Sequence, residues 1–391
     1  MEWRQEQGRC PGDVNLETGR TWTLWQTEVE RRMSAQFARR EVRWRAGASI
    51  RGLLSPVERK NGWQLAEVHG ETTPDGVQHV LGRAMWEAEA LRDAVRPYVV
   101  EPLGALAAVL GVDETGCLTQ GQHAAGVARH DSGTAGRVDN GPIGVCLTSA
   151  RPRGHVLLDR ELDLPKAWPS DEARGAGAGI PAERTLATKP PCAQQMLERA
   201  FDAHVPASWV AGDSVYGENR ALRAWLEAHN HADVLAVSGK AYLWQAGQHH
   251  QVKTLLATLA PAGWDRLRAG DGTKGPRWDD GRWRALAAPR QIHWRRWLLV
   301  RRSLHDPTAL TVYVVFAPHA TVLETVVQVA GNRWTMEQCF AEAKGEGGLD
   351  QDEVRSWTAW YRPITWAMWA YALLTVLRAA HLPAAPPLKK I

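Results

Sequence analysis

Three acidic residues occupy positions in the sequence where a carboxylate could take part in metal-dependent chemistry. Asp113 and Asp213 each follow a short apolar run, so we expect both at strand ends, where the active sites of α/β sheets gather. Glu337 lies within a long segment of helical periodicity. Carboxylates placed together repel one another, and Mg²⁺, with Mn²⁺ as a substitute, prefers such oxygen ligands. The pattern predicts a site where two ions, about 3.5–4 Å apart, act on a phosphodiester.

Simpler explanations exist for each acid taken alone. Successive strand residues face opposite sides, so only one of Asp113 and Glu114 can face the site, and we choose Asp113 because it directly follows the apolar run. Asp113 or Asp213 could equally be a turn or cap residue. Glu337 could be half of a surface ion pair with Arg333, four residues earlier. The order of the three acids along the chain favours the metal site.

Basic residues accompany these acids. Arg333 and Lys344 lie on nearly the same helical face as Glu337, so we predict that they bind phosphate groups. Residues 266–302 contain eleven Lys/Arg against three Asp, and tryptophans stand among them. This stretch could be a solvated loop packed by its tryptophans; if it instead binds DNA, we single out Arg295 and Arg296 as contacts to the DNA backbone, with the tryptophans available for stacking on splayed bases.

The segments around these residues predict a mixed α/β fold. In chain order we expect a strand at 107–112, a hairpin of strands at 143–150 and 155–159, a helix at 191–204, a strand at 208–212, a helix at 217–229 and a strand at 233–237. Strands follow at 297–301 and 311–317, and helices at 321–344 and 361–381. This order is that of a ribonuclease H-like sheet flanked by helices, with an insertion before the helix of Glu337.

The chain divides into five predicted regions. These are an N-terminal helical region at 1–98 with helices near 29–44 and 78–98, a first part of the catalytic core at 99–239, an Arg/Trp-rich insertion at 240–296, a second part of the core at 297–382, and a tail at 383–391.

Composition narrows the class of protein without deciding it. The chain has 391 residues, 44% hydrophobic and 23% charged, and a net charge of +4 that does not by itself indicate nucleic-acid binding. Five widely spaced cysteines without a CxxC pair favour a reducing compartment over a disulfide framework. The longest apolar run, 364–377, suits a buried helix better than a membrane span. We therefore expect a cytoplasmic protein with no membrane segment.

Longer motifs give a resemblance that is more specific than any single acid. They include VDETG at 112–116, WVAGDSVYG at 209–217 and RWTMEQCFAEAKGEGGLDQDEVRSWTAWYRPIT at 333–365. In these motifs the chain resembles the bacterial insertion-sequence transposases of the DDE superfamily, from about residue 37 to residue 382. The resemblance implies that Asp113, Asp213 and Glu337 form the metal-binding triad, with Arg333 and Lys344 as the basic residues of the signature around the glutamate.

The resemblance also implies that the N-terminal region at 1–98 binds DNA, that the protein is nucleoid-associated, and what its substrates and assembly are. The partners would be the inverted-repeat ends of a transposon and target DNA, and two copies of the chain would act together in a synaptic homodimer. The chain departs from the pattern at Thr119 and Gln120, where two lysines are usual, and at Ala330, where a tyrosine is usual. These departures keep open a decayed, catalytically inactive DNA-binding remnant. A stand-alone nuclease of the ribonuclease H type is a third hypothesis, which leaves the insertion unexplained.

Overall fold

The computed structural model describes residues 16–104, 108–117, 121, 123–132, 137–184, 187–259, 263–272, 275–304, 306–351 and 354–381. Thr119, Gln120 and the predicted tail at 383–391 lie outside the described residues.

The helices precede, flank and follow a large sheet. They are α1 (Leu16–Ser34), α2 (Arg40–Leu53), α3 (Gly62–Val68), α4 (Asp75–Gly82), α5 (Ala88–Leu103), α6 (Glu172–Gly177), α7 (Lys189–Asp202), α8 (Ser214–Gly217), α9 (Arg220–Ala228), α10 (Val252–Ala257), α11 (Leu323–Gly345) and α12 (Trp357–His381). The strands are β1 (Val109–Gly116), β2 (Ala128–Ser132), β3 (Arg137–Gly141), β4 (Ile143–Arg151), β5 (Gly154–Leu162), β6 (Trp209–Gly212), β7 (Asp233–Val237), β8 (Tyr242–Gln245), β9 (Gln248–Gln251), β10 (Asp265–Gly272), β11 (Gly275–Ala285), β12 (Trp294–Ser303) and β13 (Leu310–Pro318).

The N-terminal region is helical as predicted, but each predicted helix is divided between two helices of the structure. The predicted helices 29–44 and 78–98 are each interrupted, the first at Phe37 and the second at Trp86. Both aromatic side chains are buried, and their rings lie 5.3 Å apart. Trp86 also stacks on Trp366 of α12. Burial of these aromatic side chains in the shared core therefore overrides the helix propensity of the flanking residues.

The largest sheet in the described part of the chain has nine strands in the order β10-β11-β12-β13-β7-β6-β1-β4-β5. β1, β6 and β7 run parallel, whereas β4 and β5 form the predicted antiparallel hairpin beside β1. Helices cover both faces: α11 packs on one, and α7, α8 and α9 pack on the other. This mixed α/β architecture confirms the predicted fold class and is consistent with a ribonuclease H-like fold.

The Arg/Trp-rich insertion is mostly β structure and continues the same sheet. β10 pairs with β11, β11 pairs with β12, and β13 joins β12 to β7. The predicted boundary at 296/297 falls inside β12, and the boundary at 98/99 falls inside α5. β12 therefore runs through the boundary at 296/297, and α5 runs through the boundary at 98/99. Composition alone had suggested both boundaries.

The apolar segment 364–377 lies within α12, which is buried along almost its whole length. Its neighbours include α1, α2, α4 and α5 on one side and β5 on the other, so it joins the N-terminal helices to the sheet. None of the helices in the described ranges combines the length and the hydropathy needed to cross a bilayer.

Candidate active site

Strand register places Asp113 and Asp213 side by side. β1 and β6 are parallel, and their last paired residues are Val112 and Gly212, so the next residue on each strand is an aspartate. Neighbouring strands lie about 4.8 Å apart, and paired residues face the same side of a sheet. Asp113 does not end β1, as the sequence suggested, because β1 continues along β4 to Gly116. It is instead the first residue beyond the pairing with β6.

Backbone N–H groups orient both carboxylates. Oδ1 of Asp113 accepts the N–H of Glu114 at 2.8 Å, and Oδ1 of Asp213 accepts the N–H of Val215 at 2.8 Å. Asp213 is thus the N-cap of α8, so the cap role considered for it is correct. That helix has only four residues.

Glu114 faces the opposite side of β1. Its Oε1 lies 2.5 Å from Nζ of Lys189, and its Oε2 accepts the hydroxyl hydrogen of Tyr216 at 2.8 Å. Both oxygens are therefore engaged by residues of α7 and α8, on the face away from α11. This placement supports the choice of Asp113 over Glu114 as the residue that faces the site. Sequence analysis assigned no role to Lys189 or Tyr216, although Tyr216 stands within the quoted motif WVAGDSVYG.

The two aspartates are poorly compensated by protein charge. Burial raises the pKa of the Asp113 carboxyl to about 7, and the carboxylates of Glu114 and Asp213 act in the same direction. Burial, followed by the Glu114 carboxylate, also raises the pKa of Asp213. Arg333 is near enough to lower both pKa values in part, but no basic residue in the described ranges forms an ion pair with either aspartate. The pair would therefore gain from a cation.

Close packing brings α11 onto β1. A Cβ atom at Gly111 would lie 1.9 Å from Sδ of Met336, so only glycine allows the helix to come this near. Farther along, Nζ of Lys344 lies 3.4 Å from the carbonyl oxygen of Gly116. The helix advances about 12 Å and the strand about 16 Å between these contacts, so the two run alongside in the same direction. Glu337, the residue after Met336, is thereby placed near the level of Asp113 on β1.

Glu337 borders the aspartate pair without joining it. Its side chain is 57% exposed, and its Oε1 lies 3.3 Å from Nε of Arg333. Because Arg333 influences both aspartates, the four side chains form one neighbourhood on the α11 face of the sheet. Yet within the described ranges no three His, Cys, Asp or Glu side chains converge closely enough to hold a metal ion. Asp113 and Asp213 thus offer fitting oxygen ligands, while Glu337 is turned towards Arg333.

The predicted phosphate-binding residues divide into two groups. Arg333 lies beside the carboxylates, whereas Lys344 lies farther along α11, 3.4 Å from the carbonyl oxygen of Gly116 and 3.7 Å from Asp350. Arg295 and Arg296 lie near the start of β12, which is level with the start of β7 and not with its carboxyl end. They therefore lie at the opposite end of the strands from Asp213.

Arg296 is also less available than the sequence suggested. Its Nε donates to Oε1 of Glu227 at 2.7 Å, and it is half-buried, whereas Arg295 is exposed. The structure therefore brings neither arginine to the carboxylates. The prediction was wrong on this point because composition alone does not show which end of a strand faces the site. Ala330, where the resemblance expects a tyrosine, is buried in the packing between α11 and the sheet.

Comparison with known proteins identifies the family. The sequence model of the DDE superfamily endonucleases matches residues 15–305, about three quarters of the chain. The chain belongs to this family. The match contains Asp113 and Asp213 but ends before α11, so the assignment of Glu337 rests on the structure and on the resemblance around it. DDE superfamily endonucleases generally use divalent metal ions, in keeping with the poorly compensated aspartates.

A curated relative carries a more specific name. The chain is 25% identical over 168 residues to "Probable transposase for insertion sequence element IS701" from Microchaete diplosiphon. The alignment covers 43% of this chain and 41% of that protein, less than half of either.

Proposed function

We propose that the chain is a transposase that cuts DNA at the ends of an insertion sequence and joins those ends to target DNA. The observation that carries this proposal is the register of β1 and β6, which sets Asp113 beside Asp213 at the carboxyl edge of parallel strands. Membership of the DDE superfamily endonucleases and the similarity to an insertion-sequence transposase support it.

Asp113, Asp213 and Glu337 would hold two Mg²⁺ ions, with Mn²⁺ as a substitute. When bound, these ions would supply the positive charge that activates an attacking oxygen and stabilises the leaving oxygen of a phosphodiester. The aspartates contribute oxygens already oriented by the N–H groups of Glu114 and Val215. Water is the nucleophile for cleavage, and the released 3′-hydroxyl is the nucleophile for joining.

Glu337 must turn from Arg333 to complete this set. An exposed i, i+4 ion pair contributes only about 0.3–0.5 kcal/mol, so its loss is easily offset. A DNA phosphate offers Arg333 a bidentate partner in exchange. We propose that substrate binding frees the glutamate in this way, which explains why the three acids do not converge in the protein alone.

The N-terminal helices provide a basic surface for DNA. Arg39 and Arg40 are exposed at the start of α2, and neither forms an ion pair within the described part of the chain. Arg32 and Arg45, in contrast, are paired with acids of the same region. We propose that the unpaired arginines contact the backbone of the transposon end. Two ends must be cut and joined at one place, so we propose a homodimer in the synaptic complex.

A nicking assay on a terminal-repeat duplex tests the proposal. Asp113→Asn and Glu337→Gln should abolish nicking in Mn²⁺ or Mg²⁺ and leave retention on DNA largely intact. Glu324→Gln is the matched control, because Glu324 is exposed in the first turn of the same helix. Unchanged cleavage in either active-site variant would refute the assignment.

The same assay separates the two alternatives. A wild-type chain that binds the duplex but never nicks it would support the inactive remnant, which the departures at Ala330, Thr119 and Gln120 favour. Cleavage of RNA–DNA hybrids without preference for the repeat would support a stand-alone nuclease. Neither outcome is expected.

A further inference from the structure

The Glu114 side chain joins the two chain segments that orient the catalytic aspartates. The backbone N–H of Glu114 donates a hydrogen bond to Oδ1 of Asp113, and Oε2 of the Glu114 side chain accepts the hydroxyl hydrogen of Tyr216 at 2.8 Å. Tyr216 directly follows Val215, whose N–H holds Oδ1 of Asp213. One side-chain hydrogen bond therefore connects the two peptide groups that orient the two carboxylates.

Lys189 holds the other end of this connection. Its Nζ lies 2.5 Å from Oε1 of Glu114, and Lys189 is the first residue of α7. The Tyr216 ring is fully buried between α8 and the sheet, so its hydroxyl has little freedom to move. Gly217, the next residue, packs so closely on β7 that a Cβ atom there would lie 1.9 Å from the carbonyl oxygen of Ala236. The acceptor and both donors are thus fixed by separate elements.

We propose that Glu114, Lys189 and Tyr216 form a positioning clamp that sets the separation and orientation of Asp113 and Asp213 for divalent-ion binding. The clamp lies on the sheet face opposite α11, so none of its three side chains shares the face on which metal and DNA would bind. It positions the aspartates through the backbone of β1 and α8. The inference rests on the proposed function, because it assigns the aspartates as metal ligands.

Two explanations give different predictions for loss of the clamp. A clamp that only stabilises the fold lowers thermal stability and leaves metal affinity unchanged. A clamp that positions the ligands weakens metal affinity in a chain that remains folded. Loss of residues that orient metal ligands typically costs about 10–100-fold in metal affinity or activity.

Mn²⁺ binding to the full chain, without DNA, distinguishes these explanations. The free ion is measured by electron paramagnetic resonance, and circular dichroism checks folding. Tyr216→Phe removes one hydroxyl and should weaken Mn²⁺ binding about 10-fold or more. The matched control is Tyr242→Phe, since Tyr242 is an exposed tyrosine of the β8–β9 hairpin whose hydroxyl accepts from Gln251. The control should bind Mn²⁺ as the wild type does.

Lys189 provides a second, independent test if Tyr216→Phe folds poorly. Lys189→Met should weaken Mn²⁺ binding, and Lys189→Arg, which keeps a cation beside Glu114, should restore most of it. Wild-type affinity in folded Tyr216→Phe or Lys189→Met would overturn the clamp and leave the proposed function standing. A wild-type chain that neither binds Mn²⁺ nor nicks DNA would overturn the proposed function, and the clamp with it.

Discussion

Substituting Gly331 by alanine should push α11 away from the sheet. A Cβ atom at this position would lie 1.6 Å from the backbone carbonyl oxygen of Ala269 in β10. A carbon and a carbonyl oxygen ordinarily approach no closer than about 3.3 Å, so the helix and the strand would have to move apart by about 1.7 Å. The obstacle is backbone and cannot rotate aside. Arg333 and Glu337 follow within two turns, so the displacement reaches the candidate active site.

The expected loss of stability follows from two opposing effects. Overpacking of a tight interface costs about 1–3 kcal/mol, occasionally more. Replacing a helical glycine by alanine returns about 0.5–1 kcal/mol. Gly345, at the end of the same helix, is the matched control because a Cβ atom there would have no neighbour within 4 Å. Gly345→Ala should therefore leave the free energy of unfolding unchanged or raise it by about 0.5–1 kcal/mol.

Urea unfolding, followed by circular dichroism, measures both variants. Gly331→Ala should unfold at a lower urea concentration than wild type, and Gly345→Ala at the same concentration or a higher one. Nicking should fall about 100-fold in Gly331→Ala, because a misplacement of about 1 Å at catalytic groups has effects of this size. Equal stability and activity in the two variants would refute the argument that close approach of α11 to β10 positions the site.

Two further predictions concern charge. Burial raises the folded-state pKa of Asp113 to about 7, so the folded chain binds this proton more tightly than the unfolded chain, and stability falls as pH rises from about 4 to 7. Asp113→Asn should remove this dependence and, in EDTA, raise the free energy of unfolding at pH 8 by up to about 4 kcal/mol but not at pH 4. Parallel urea-midpoint curves across pH for variant and wild type would contradict it. Replacing Arg39 and Arg40 together by alanine should reduce the slope of log affinity for terminal-repeat DNA against log salt by about 2, as titrations at several salt concentrations would show. An unchanged slope would place the phosphate contacts elsewhere.

Strands and hairpins beside the site were predicted well because their signals are local. The predicted strand 233–237 coincides with β7, and the predicted hairpin lies within β4 and β5. The helix breaks at Phe37 and Trp86 were not predicted, because they depend on aromatic burial against residues far along the chain. Local periodicity contains no information about such partners.

The same distinction applies within the candidate site. The strand-end pattern was enough to select Asp113 and Asp213, since parallel strands bring their carboxyl ends together. It could not show that Arg296 is engaged by Glu227, nor that Lys189 holds Glu114, because each ion pair joins distant segments. Pairings of this kind depend on three-dimensional packing, which a single sequence does not specify.

The electrostatic cost of the aspartate pair and the exposed position of Glu337 have a common explanation. A carboxyl whose pKa is raised to about 7 by burial destabilises the folded chain at neutral pH unless a cation compensates it. The fold nevertheless fixes Asp113 and Asp213 side by side through strand register, which no side-chain movement can relax. Among the residues that the structure describes, Glu337 pairs with Arg333 alone, in an exposed ion pair that little energy is needed to break. If the three acids hold metal as proposed, two fixed ligands and one movable ligand would let the site close around metal and DNA together.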